Sequence, residues 1–172
     1  MDHAGLGQQA QQAVATAVIY RISEGQGDQG ATLVADAEKS LLSTGDTLIA
    51  NETDQAFGGA IQSVFTNPSI TVKASDVAPA VETALLRGGG IAGAAVTGMA
   101  AATSTYCPQV ADVLSQAKAL AVSSGNGQAF DEAISNWSQI ASTDSSSSAS
   151  KLFACAPITS PVAPGASTAG KK

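Results

Sequence analysis

At 172 residues the chain fits one domain, which at that size buries roughly 70% of the surface its unfolded form exposes. With 44% apolar residues but 4% aromatics, the core is expected to be made from Ala, Val, Leu and Ile, so helices lie close together and leave little room for a bulky cofactor. Charged side chains are 13% of the total, and 14 acidic against 8 basic ones give a net charge of −6 with no Lys/Arg stripe, which argues against nucleic acid and anionic membranes.

In chain order, the spacing of apolar residues predicts a first helix over Gly7 to Ser23, with Val14, Ala17, Val18 and Ile22 on its buried face. A second runs from Ala31 to Ser43 through Leu33, Val34, Ala37 and Leu41, stopped by Thr44-Gly45. A third starts at Asp46, with a break expected near Asn51, and carries Leu48, Ile49, Phe57, Ile61, Val64 and Phe65. Asn67-Pro68 ends it, and Ile70-Thr71-Val72-Lys73 reads as an extended linker too short to found a sheet. Ser75 or Asp76 is expected to cap a helix through Arg87, with Pro79 in its tolerant first turn.

After Gly88-Gly89-Gly90, residues 91 to 104 are almost purely small and apolar, which predicts a buried central helix shorter than the ~20 residues a membrane span needs. Gly90, Ala94, Gly98 and Ala102 form a small-residue ridge at i+4 steps, suited to close packing inside the domain or between protomers. Cys107-Pro108 opens the next helix, through Val122, and Ser123-Ser124-Gly125-Asn126-Gly127 is its turn. Gln128 to Ser142 places Phe130, Ile134, Trp137 and Ile140 on one side, and a short last helix carries Leu152, Phe153 and Cys155. The reading is thus all-α: a helical domain over 1–156, a bundle of about seven helices, followed by a flexible Pro/Ala/Ser/Thr tail over 157–172.

One cassette, Gln/Pro-Ala-Φ-x-x-Ala-Φ with Φ apolar, occurs four times, starting at Gln12, Gln55, Pro79 and Gln128. Its apolar positions share one helix stripe in which Ala lets a neighbour approach, so it is a packing signal. Val34-Ala35-Asp36 before Gln55-Ala56-Phe57, and Val110-Ala111-Asp112 before Gln128-Ala129-Phe130, suggest an internal duplication.

Few motifs carry chemistry. His3, the only imidazole, lies near an end expected to fray and not on the rigid scaffold a Ser-His-Asp triad needs, and with two cysteines there is no zinc ligand set. Neither a metal nor a cofactor is expected, and the chain is not read as an enzyme. The acid pairs Asp36/Glu38, Glu52/Asp54 and Asp131/Glu132 read as solvated helix faces or caps, because side chains so close in sequence diverge on a helix. Gly88-Gly89-Gly90 before a helix lacks the strand and the Lys-Ser/Thr of a phosphate loop, and reads as an interhelix turn.

Cys107 and Cys155 are expected to pair and clip the helices between them. Asn51-Glu52-Thr53 and Asn136-Trp137-Ser138 are N-glycosylation sequons, making Asn51 and Asn136 candidate sites. Met1-Asp2-His3-Ala4-Gly5 lacks the basic flank and apolar run of a signal peptide, so either the chain is a mature fragment behind an added Met or it is not secreted; the cysteine pair and the composition favour the fragment. Together these features predict a non-catalytic structural or self-assembly module of an extracellular polymer, coat or fibre, partnered by itself or by other extracellular structural proteins. The alternative is a small secreted helical protein holding an apolar ligand among Phe57, Phe65, Met99, Phe130 and Trp137. Any response to pH falls to carboxylates, and acidification toward the pI near 4.5 is expected to promote association.

Overall fold

A computed structural model describes residue 5 and residues 7–157, and the chain is all-α. Seven helices follow one another: α1 (Gln8–Ser23), α2 (Gly27–Thr44), α3 (Thr47–Thr66), α4 (Ala74–Arg87), α5 (Gly89–Ser123), α6 (Gly127–Thr143) and α7 (Ser148–Cys155). No strand occurs among the described residues. The expected tail lies outside them apart from Pro157, as does His3.

Three of the joints between helices are built the same way. Gly25, Gly45 and Gly125 sit at positive φ of 75°, 87° and 82°. At each, the glycine N–H and the next residue's N–H reach back to the last helical turn: Gly25 to Ile22 and Gln26 to Arg21, Gly45 to Leu42 and Asp46 to Leu41, Gly125 to Val122 and Asn126 to Ala121. This is the Schellman arrangement, and it needs glycine because a Cβ clashes in the left-handed region. The next helix begins two residues after the glycine each time, at Gly27, Thr47 and Gly127.

Central α5 packs most extensively on α3 and α4, while α2 lies on α4 and α3 and α1 covers α3. Helices α6 and α7 pack on α5 and on each other. The small-residue ridge is what lets α3 and α5 touch backbone to backbone. A Cβ on Gly58 would sit 2.8 Å from the carbonyl oxygen of Ala94, and one on Gly98 would run into the carbonyl oxygen of Gly58. Asp54, Gly58 and Gln62 on α3 meet Gly90, Ala94 and Gly98 on α5, so i+4 ridges of both helices interlock. Around this contact Phe57, Ile61, Ile91, Val96 and Met99 are fully enclosed, each contributing roughly 1.5–3 kcal/mol of apolar burial.

The cassette is realised unequally. In α3 (Ala56, Phe57, Ala60, Ile61) and α4 (Ala80, Val81, Ala84, Leu85) all four apolar positions are buried. In α1 and α6, which have a solvent side, Ala13, Ala17 and Ala129 face water while Val18, Phe130 and Ile134 go inward.

Several local expectations are corrected. The break near Asn51 is absent, since Thr47–Thr66 is one helix. The helices expected on either side of Cys107 merge into α5, and the expected boundary survives as a kink where Tyr106 has φ −118° and ψ 31°, two residues before Pro108. Helix α2 starts at Gly27, not Ala31, because Gly27 is packed onto α4, where a Cβ would lie 3.1 Å from that of Ala80. Lys73 holds the N-cap position of α4, and Asp76, in its first turn, accepts the Lys73 N–H at 2.9 Å. Ala17, Leu33, Ala37, Leu48 and Ile140, expected inside, are exposed because the apolar stripes of their helices are wider than the faces that find a neighbour. The duplicated phrases are not equivalent in place: Gln55-Ala56-Phe57 lies in the third turn of α3, Gln128-Ala129-Phe130 in the first turn of α6.

Candidate functional site

Two features stand out from a fold otherwise explained by apolar packing. The first is a pair of carboxyl groups at the start of α5. Glu38 reaches it from α2 and Asp54 from α3, brought together by the Gly45 hairpin. The Gly90 N–H donates to Glu38 Oε1 at 3.2 Å. A Cβ on Gly90 would overlap Asp54 Oδ2 and come 2.7 Å from Glu38 Oε1, so only glycine leaves the carboxyl groups this space. The exposed N–H groups and dipole of a helix N-terminus attract anions, and here the chain's own carboxyls fill the position open to a phosphate in the sequence.

Asp54 is 5% exposed, and its Oδ1 has no hydrogen-bond partner among the described residues. Burial foremost, then the charge of Glu38 and the hydrogen bond shared with it, push the Asp54 carboxyl up to about 7. A hydrogen bond between two carboxyl groups requires a proton on one of them. The arrangement can therefore hold one proton near neutrality. A cleft of about 270 Å³ lined by Glu38, Lys39, Arg87, Gly88 and Gly89 opens beside it and gives Glu38 contact with solvent.

The second feature is an apolar groove of about 280 Å³ between α1 and α2. Val14, Ala17, Leu33 and Ala37 form its rims, Val18 and Val34 its floor. Leu33 is 59% exposed, unusual for a large aliphatic side chain lying beside other apolar groups. Arg21 also lines the groove, its guanidinium donating to Gln26 Oε1 at 2.7 Å and Gln29 Oε1 at 3.2 Å. Among the described residues no carboxylate pairs with it; the ion pairs there are Arg87–Asp36 and Lys118–Asp131.

The residues singled out in the sequence lie elsewhere. Gly90, Ala94 and Gly98 face α3, and Ala102 is buried, so this ridge is consumed inside the domain. Phe57, Met99 and Phe130 are fully enclosed in the core, whereas Trp137 packs across Gly93. Phe65 lines a separate cleft of about 280 Å³ with Val72, Val77, Tyr106 and Val113. These five therefore do not surround one cavity. Cys107, at the α5 kink, and Cys155, at the end of α7, are at disulfide distance with their Cα atoms 5.5 Å apart. Asn51 and Asn136 are exposed on α3 and α6, while Thr53 of the first sequon is buried, its hydroxyl donating to the Ile49 carbonyl at 2.7 Å.

The Glu38–Asp54 pair escaped sequence reasoning because its members were each matched to the wrong neighbour, Asp36 and Glu52. The available signal was the i+4 row of Ala50, Asp54 and Gly58: an acid on a row of small residues is an acid turned toward another helix.

Among the described residues no group of three or more His, Cys, Asp or Glu could hold a metal ion, and no helix is long and apolar enough to cross a membrane. Fold and site together define an all-α bundle clipped by one cysteine pair, with a buried carboxyl pair and an open apolar groove. No family model matches the chain, and no curated protein or solved structure matches it either.

Proposed function

We propose that this chain is a non-catalytic assembly module of an extracellular polymer, coat or fibre, and that copies associate through the α1–α2 face. The observation that carries this reading is Leu33, 59% exposed beside Val14, Ala17 and Ala37 on a surface with few charges to keep copies apart. The small-residue ridge of α5, spent on α3, is not the surface involved. A cysteine pair at disulfide distance is compatible with an oxidising, extracellular setting. Hydrogen–deuterium exchange on dilute and concentrated protein tests the location. The reading expects concentration-dependent protection confined to the groove-lining stretches 14–21 and 30–37; protection that is the same at all concentrations, or rises elsewhere, overturns it.

A second reading is favoured by Arg21. An apolar groove with an unpaired cation beside it suits a single-chain amphiphile with an anionic head, at a volume just below the usual range of about 300–1,000 Å³ for small-molecule sites. Calorimetric titration with dodecanoate tests it, Arg21→Gln being expected to weaken binding about tenfold. Absence of heat at any accessible concentration removes this reading. Tryptophan fluorescence is a poor reporter, because Trp137 lies over Gly93 and not in the groove.

A further inference from the structure

We infer that Glu38 and Asp54 form a proton-operated latch holding the start of α5 onto α2 and α3, closed when one proton is shared between the two carboxyl groups and forced apart when both are ionised. The inference concerns how the fold responds to pH, and it holds under either reading of the groove.

The geometry carries it. In the closed state a protonated carboxyl donates to the other, and the Glu38 carboxylate accepts from the Gly90 N–H at 3.2 Å. Removing the shared proton leaves two negative charges in a corner where Asp54 is almost wholly buried, and Oδ1 already lacks a partner. Like charges brought together in a poorly solvated site repel strongly.

Among the described residues no cationic side chain is paired with either carboxylate to offset that repulsion, and the N-terminal dipole of α5 does so only in part. Helix α5 carries no ionisable side chain between Gly89 and Thr105. On α4 the nearby cation is Arg87, which is bonded to Asp36 Oδ1 at 3.1 Å. On α2, Asp36 and Lys39 flank Glu38 in sequence, and Lys39 lines the solvent cleft, not the buried corner. Helix α3 adds only Glu52, another acid, near Asp54 in sequence, and α1 adds Arg21, which lies in the groove beside Thr53.

The chain enters this corner through glycines. Gly88 and Gly89 have φ of 71° and 63°, so the chain entering α5 turns on two glycines, and Gly90 has no side chain to keep the carboxyls in place. The element free to give way when the charges repel is therefore the first turn of α5, whose N–H groups have no helical partners.

The test uses the full chain labelled with ¹⁵N and follows the Gly90 amide resonance and its hydrogen exchange from pH 5 to 8.5. The latch predicts a Gly90 shift that titrates with a midpoint near 7, with exchange above that midpoint faster than base catalysis alone explains. Asp54→Asn is expected to abolish the titration. Glu38→Gln, which removes the neighbouring charge while leaving Asp54 buried, is expected to move the midpoint down by about one pH unit or more. Should the Asp54 variant not fold, Glu38→Gln decides the matter by itself. A Gly90 resonance that is flat across this range, or a near-neutral transition that persists in Asp54→Asn or stays in place in Glu38→Gln, overturns the latch. Reading Gly90, not global unfolding, keeps the result separate from Glu82, whose carboxyl is pushed up by burial and then by Asp28 at the α2–α4 contact.

Discussion

Asp54 couples folding to proton uptake. Its folded value of about 7 stands above the ordinary 3.8, so the stability gained from the protonated form is fully present below about pH 4 and is lost as pH rises to 7. Glu82 is shifted in the same direction and adds to the trend. We predict that the thermal midpoint falls between pH 5 and pH 8 by an amount equivalent to about 2 kcal/mol, or roughly 4–8 °C. Differential scanning calorimetry of wild type and Asp54→Asn measures it, the variant being expected to show a much flatter profile. Two adjacent glycines offer a second contrast. Gly58→Ala drives a methyl to 2.8 Å from the Ala94 carbonyl and is expected to cost about 1–3 kcal/mol. Gly59→Ala meets nothing within 4 Å and is expected to gain about 0.5–1 kcal/mol of helix propensity, both read from urea unfolding. That distinction was missed in the sequence, where the only sign that Gly58 and not Gly59 faces another helix is its place on the i+4 row with Ala50 and Asp54. The chemistry of Asp54 was hidden as well: a carboxylate's state depends on what a second helix places opposite it.

Helices were the most legible level, because each stripe and each stop is local. The Gly25, Gly45 and Gly125 joints follow from a glycine two residues before the next helix, and α3, α4 and α6 begin and end close to where their apolar spacing starts and stops. The failures were equally physical. The apolar spacing predicts a start for α2 at Ala31, yet Gly27 and Gly30 lie within it, since close approach of α4 and α1 requires them. The Cys107-Pro108 boundary became a kink at Tyr106 within one continuous helix. Two predictions belong at this scale. Gly45→Ala is expected to cost about 1–2 kcal/mol, the penalty for a Cβ in the left-handed region, measurable as a lower urea midpoint. Replacing Cys107 and Cys155 together by Ala opens a link across 48 residues and is expected to cost about 4 kcal/mol on the chain-entropy account, measured against the oxidised wild type.

For the molecule as a whole, low charge and an unfilled apolar groove point the same way. The bundle spends its small-residue ridge on itself and leaves α1 and α2 with more apolar surface than their neighbours cover, Tyr20 and Leu33 standing 61% and 59% exposed. The sequence carried the width of those stripes but not the position of their edges, because which edge stays wet depends on where α3 and α4 dock. Acidification lowers the net charge, so association is expected to be stronger at mildly acidic pH. The most direct measurement is molar mass by light scattering over a concentration series at pH 5.5 and 7.5, on wild type and Leu33→Glu. The account predicts a wild-type mass that climbs above 16.9 kDa with concentration, more so at the lower pH, and a Leu33→Glu variant that stays monomeric. A wild type fixed at 16.9 kDa under every condition, or a Leu33→Glu variant that associates as well as wild type, would contradict it.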